Sequence, residues 1–106
     1  FQKNGGSFEH PYIGIRYKMV DKQTAILNEV VEGAYVVQVV QGSPAEKSGI
    51  QEEDIIIEFD GKKINGSDEQ ILTKLISEKK PGERVTLKIW RNKEVKEISV
   101  TLKSSQ

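Results

Sequence analysis

Histidine occurs once in the chain, as His10, directly before Pro11. A serine nucleophile needs a base held against it by a rigid scaffold. His10 sits in a short polar stretch with Gly5, Gly6 and Ser7, which is a poor place for such a base. No Gly-x-Ser-x-Gly elbow occurs. Gly42-Ser43 and Gly66-Ser67 each put a serine after a glycine, but both serines read better as helix caps. His10 is therefore expected to be a solvated linker residue, and no catalytic residue is expected. With one histidine and no cysteine, a transition-metal site would need carboxylates almost alone. The densest acidic run, Glu52-Glu53-Asp54, lacks the ligand spacing and glycine of a calcium loop and reads as a solvated turn. No glycine motif that cradles phosphate is present. Neither metal nor organic cofactor is expected.

A different chemistry is suggested by Tyr12-Ile13-Gly14-Ile15, where a glycine stands between two isoleucines at the start of a strand. Glycine permits a sharp backbone excursion and close approach of a ligand. Successive amides in such a turn can converge on an anion. The isoleucines would line an apolar pocket beside it. That pairing suits a polypeptide's C-terminus, which brings one carboxylate and one side chain to bury. The same tetrapeptide also fits a plain bulge at a strand start, and the residues alone leave the two readings open.

The elements that must hold this turn follow from periodicity. Ile13, Ile15, Tyr17 and Met19 alternate with the charged Arg16 and Lys18, the pattern of a half-buried strand. Residues 21–29 fit either a short helix or a loop insertion. Gly33 opens a β-branched run through Val40 that predicts a strand buried on both faces. Ser43-Pro44-Ala45-Glu46 predicts a short helix with Ser43 as N-cap, Pro44 in the first turn and Glu46 completing a capping box, closed by Gly49. Ile55 to Phe59 predicts a strand ended by the tight-turn pair Asp60-Gly61, with Ile64 on a very short returning strand. Ser67 and Gln70 predict a second capping box, opening a longer helix with apolar Ile71, Leu72, Leu75 and Ile76. Lys79 and Lys80 suit its C-terminal end, and Pro81-Gly82 stops it. Val85, Leu87 and Ile89, then Ile98, Val100 and Leu102, make a closing hairpin around a turn at residues 91–94. The order predicts an α+β domain with a mainly antiparallel sheet and two helices.

Bulk properties bound the partners. At 106 residues the chain has the size of one domain. Sixteen basic residues balance sixteen acidic ones, which argues against a nucleic-acid surface and against attachment to anionic lipid. The longest uncharged stretch, residues 33–45, is too short and too polar to cross a bilayer. Residues 1–10 read as a linker from an upstream domain, 11–103 as the domain itself and 104–106 as a tail.

In order and spacing, Pro11 to Arg16, Gly33 to Val36, the block Gly42 to Ile56, Asp60 to Ile64 and the Pro81-Gly82 hairpin together resemble a PDZ domain. The Tyr-Ile-Gly-Ile-Arg form at the N-terminal edge resembles the type found after the protease domain of HtrA/Deg-type trypsin-like serine proteases. The resemblance covers residues 11–103. It implies a partly open antiparallel β-sandwich or barrel of five to six strands capped by two helices, circularly permuted as in bacteria. It implies capture of C-terminal peptides by strand addition, with the carboxylate at Tyr12, Ile13, Gly14 and Ile15. The groove would then be lined by Arg16, Tyr17, Asp68, Leu72 and Ile76, with Ile71 and Leu75 turned to the core. Peptides ending in an apolar residue are the implied partners, along with an upstream protease domain. An extracytoplasmic, envelope location and a role in protein quality control follow by the same resemblance. A structural or gating domain at an oligomer contact, or a module of a membrane protease or secretion component, are the alternatives.

Overall fold

A computed structural model describes residues 11–104. The 1–10 linker, with His10, and residues 105–106 lie outside the described residues. Among the described residues, eight strands and three helices follow in the order β1 (Pro11–Tyr12), β2 (Ile15–Val20), α1 (Lys22–Leu27), β3 (Gly33–Val39), α2 (Pro44–Ser48), β4 (Ile55–Phe59), β5 (Lys62–Lys63), α3 (Ile71–Ser77), β6 (Arg84–Arg91), β7 (Glu94–Thr101) and β8 (Lys103–Ser104). Six strands form one antiparallel sheet in the order β2-β3-β4-β6-β7, with β5 paired to β4. β1 pairs separately with β8, joining the two ends of the domain. Ser104, expected in the tail, is thereby a strand residue opposite Pro11. The sheet stays open, so the barrel alternative is not realised. The helix count rises to three because residues 21–29, open between helix and loop, form α1 with Asp21 as its N-cap.

The core lies where the alternating strands face α3. Val36, Ile56, Phe59, Leu87, Ile89 and Val100 are fully buried there. Leu72 and Leu75 meet them from the helix. β3 is buried only over its first half. Its second half is exposed, with Val37 48% accessible. The reason is a bulge: Arg16 pairs with Gln38 and Tyr17 with Val36, so Val37 is the extra residue and the strand turns outward. Turn chemistry follows sequence closely. Asn92 and Lys93 carry φ of 51° and 64°, and the β4–β5 turn at Asp60-Gly61 carries 52° and 87°. Both are the left-handed pairs that match the twist of a two-residue hairpin.

At α2 the Ser43 half of the expected capping box forms, and the reciprocal bond shifts by one residue because the Ser43 amide donates to the Val40 carbonyl at 3.2 Å. The Glu46 amide donates to Ser43 Oγ at 3.2 Å, and Glu46 Oε1 accepts from the Gly42 amide at 2.8 Å. Ser43→Ala is expected to cost about 1 kcal/mol through the lost cap, read as a fall of roughly 4–8 °C in Tm. The second expected box does not form. α3 starts at Ile71, with Gln70 in the cap position and making no side-chain bond. Asn65 Oδ1 takes the Ser67 amide and Asp68 Oδ1 takes the Gln70 amide, so two local turns capture the donors that a helix would have used. At the other end Lys79 leaves the helix terminus and donates to Asp60 at 2.6 Å. That hydrogen bond holds the Asp60 carboxyl below its ordinary range.

Candidate functional site

Among the described residues β2 is an edge strand, and which of its backbone groups face outward can be read from the ladder. The Val40 amide donates to the Gly14 carbonyl at 2.9 Å. That makes Ile15–Val39 a non-hydrogen-bonded pair, so the amide and carbonyl of Ile15 point away from β3. Val36 directs its own amide to the Asp54 carbonyl and accepts from the Glu53 amide, both on the β4 side. Tyr17, opposite Val36, therefore also points its backbone outward, and Met19 follows two residues later. Three residues of one edge thus present donor and acceptor pairs to whatever lies beyond. The side chains of Ile15, Tyr17 and Met19 pack toward the core, while Arg16 and Lys18 are exposed on the other face.

The turn before β2 has the polarity that an anion requires. Its carbonyls are used inside the domain: Ile13 accepts from the Ala45 amide at 2.9 Å, and Gly14 accepts from Val40. Among the described residues no such bond is donated by the amides of Ile13 or Gly14. Gly14 has φ +89°, and a Cβ built there would lie 2.1 Å from the Ser43 Cβ. Only glycine fits both the dihedral and the space. The Tyr12 hydroxyl lies alongside, 3.2 Å from the same point. Ser43 and Ala45, the start of α2, are the support on which this turn rests.

α3 forms the opposite wall. Its side toward β2 is marked by a hydrogen bond of 2.7 Å between the hydroxyls of Tyr17 and Thr73. Of the two residues expected in the groove, Leu72 is wholly buried and Ile76 half-buried. The buried helix pair is Leu72 and Leu75, not Ile71 and Leu75; Ile71 stays half-buried. The late start of α3 explains this, since the stripe follows i,i+3 on a helix of only two turns. Past Tyr17 lies a cleft of about 620 Å³ bounded by Met19, Asp21, Gly66, Ser67 and Glu69. Asp68 does not bound it, because its carboxylate is turned to the Gln70 amide. Thr73, which meets Tyr17, and Ser67, which bounds the cleft, do not read as candidate site residues from the sequence, whereas Glu69 stands there with Asp68 as a possible ligand selector. For Thr73 the available signal was a polar residue between the apolar positions of α3.

A family model described as PDZ domain matches residues 11–102. The chain belongs to the PDZ domain family. Among curated proteins, this PDZ domain is 38% identical over 99 residues to a probable periplasmic serine endoprotease, DegP-like, of Chlamydia trachomatis, covering 92% of the chain and 20% of that protein. It is 36% identical over 112 residues to the serine protease Do-like HtrA of Bacillus subtilis, covering 95% and 24%. The chain spans about a fifth of the length of these relatives. Among solved structures, the HtrA3 PDZ domain bound to a phage-derived ligand (FGRWV) is 27% identical with a TM-score of 0.77, covering 93% of this chain and 90% of that one. The HtrA-type protease AlgW with decapeptide shares the fold at a TM-score of 0.78 and 18% identity, covering 92% and 30%. No helix is long and apolar enough to cross a membrane among the described residues.

Proposed function

We propose that this PDZ domain captures the C-terminal segments of polypeptides by strand addition to β2, as the substrate- or effector-sensing module of an HtrA-like serine endopeptidase in protein quality control. One observation carries the reading: among the described residues, a strand edge without a partner begins at a turn whose carbonyls are engaged inward while the amides of Ile13 and Gly14 are not. The ligand runs antiparallel to Ile15, Tyr17 and Met19, and backbone bonds supply affinity that tolerates many sequences. Its carboxylate meets the amides of Ile13, Gly14 and Ile15, beside the Tyr12 hydroxyl. Its last side chain is apolar and enters between Ile13, Ile15, Leu72 and Ile76. Arg16, on the exposed face, reaches polar groups at the rim, and Asp68 stands at the entrance of α3. The relatives named periplasmic support an extracytoplasmic location in the cell envelope. The parent chain supplies the catalytic residues.

Burying a Val- or Leu-sized side chain contributes roughly 1.5–3 kcal/mol, and the entropy of association and of peptide ordering opposes it. Affinity for short peptides is therefore expected in the micromolar class. The test uses the pentapeptide Phe-Gly-Arg-Trp-Val, titrated calorimetrically against the domain with a free and with an amidated C-terminus. A hydrogen bond to a charged group is worth about 1.5–3 kcal/mol, so amidation is expected to weaken binding at least about tenfold. Equal affinity for the two forms would remove the carboxylate site. Absence of binding by either form, and by a library of apolar-ended peptides, would favour a domain that gates or scaffolds.

A further inference from the structure

The hydroxyls of Tyr17 and Thr73 meet at 2.7 Å although the residues are 56 positions apart in sequence. Tyr17 belongs to the free edge of the sheet and Thr73 to the middle of α3, so the bond joins the two walls between which an added strand has to lie. An added strand sits about 4.7–4.9 Å from its neighbour. At the level of Tyr17, the tyrosine side chain leaves this edge and reaches α3. On one side of that bond β2 runs back to Ile15 and the turn with Ile13. On the other lies the cleft bounded by Met19, Asp21 and Glu69.

We propose that the Tyr17–Thr73 pair is a crossbar that holds the groove shut against itself, so that a ligand longer than its last residue or two binds only by parting the two hydroxyls. The proposal rests on the peptide-binding reading above. Each hydroxyl satisfies the other in the closed arrangement, and an incoming chain has to replace that bond with its own contacts. One intramolecular hydrogen bond corresponds to a factor of roughly two to ten in an equilibrium constant. The crossbar therefore acts as a length filter. A single terminal residue enters the slot without touching it, whereas a chain that continues toward Met19 works against it.

Tyr17→Phe and Thr73→Val keep shape and remove one hydroxyl each. Each is expected to tighten binding of Phe-Gly-Arg-Trp-Val by about twofold to tenfold. The double variant is expected to gain no more than either single one, because both cut the same bond. N-acetylvaline, titrated into the wild-type protein and followed by NMR, is expected to leave the Tyr17 and Thr73 resonances in place, since a single residue does not reach the bond. A variant that leaves pentapeptide affinity unchanged or lowers it overturns the crossbar, as does an additive double variant. Native-state hydrogen exchange of the α3 amides, recorded without peptide, reads the same bond independently. The variants are expected to exchange about twofold to tenfold faster. Unchanged α3 exchange overturns the crossbar even if the wild-type protein binds no peptide, an outcome that by itself overturns the binding reading.

Discussion

Gly14→Ala is expected to lower Tm by about 10 °C or more and to abolish peptide binding at concentrations that saturate the wild type. Two separate effects combine at this position. A side chain at φ +89° is strained by about 1–3 kcal/mol. The new methyl also falls 2.1 Å from the Ser43 Cβ, an overlap that forces a shift costing about 1–3 kcal/mol more. Each kcal/mol moves Tm by roughly 4–8 °C in a domain of this size. The turn cannot yield without loss, because the Ile13 carbonyl is tied to the Ala45 amide and the Gly14 carbonyl to Val40. What gives way is the direction of the amides. The two contributions separate in a second variant. Ser43→Gly costs only a few tenths of a kcal/mol as a cap and opens the space. Gly14→Ala combined with Ser43→Gly is therefore expected to be more stable than Gly14→Ala alone. Scanning calorimetry of the four proteins measures this coupling. A Gly14→Ala protein as stable as the wild type would refute the account of the turn.

The second large effect lies far from the groove. Asp54 is 1% exposed. Its carboxylate accepts from Arg91 Nε at 2.8 Å and Nη2 at 2.7 Å, and from the Gln51 amide at 2.8 Å. Arg91 Nη2 also donates to the Gly49 carbonyl, at the C-terminal end of α2. One guanidinium thus ties the end of the sheet to both the α2 terminus and the turn that follows. Arg91→Met strands a buried carboxylate, and breaking such a pair costs about 3–5 kcal/mol. With a urea m-value of about 1–3 kcal/mol/M, the unfolding midpoint is expected to fall by about 1 M or more. Arg91→Lys is expected to restore only part of this, since an ammonium cannot present the two-pronged fork. A loss below about 1 kcal/mol would mean that the pair behaves like a solvated surface contact.

The two experiments address one line of support. Arg91 fixes the far end of α2, and the near end of α2 carries Ser43 and Ala45, against which Ile13 and Gly14 rest. Most of that line was legible in sequence as separate pieces. Ser43, Pro44, Glu46 and Gly49 announce α2 through local capping chemistry, and the glycine between two isoleucines announces the turn. Their mutual contact was not legible, because Gly14 and Ser43 are 29 positions apart and no local rule spans that gap. Asp54 looked like part of a solvated acidic turn, since the residue that desolvates and neutralises it lies 37 positions away. The groove wall shows the same limit. Ser67 and Gln70 have capping-box spacing, but Asn65 and Asp68 compete for the same amides and delay the helix to Ile71. That delay changed which apolar residues reach the core. Val37 likewise belongs to a run that reads as buried, and a bulge set by pairing with β2 turns it outward.

β2 stops at Val20, and Asp21 is already committed to α1, its carboxylate holding the Thr24 amide at 2.8 Å. The outward-facing backbone is therefore finite: Ile15, Tyr17 and Met19, with nothing in register after them. Such an edge works as a ruler. Lengthening a bound chain adds rungs only until it draws level with Met19, after about five residues, and further residues hang in solvent. On the proposed strand addition, such a receptor would read a terminus and a few links behind it, and would stay indifferent to the remainder of the molecule to which they belong.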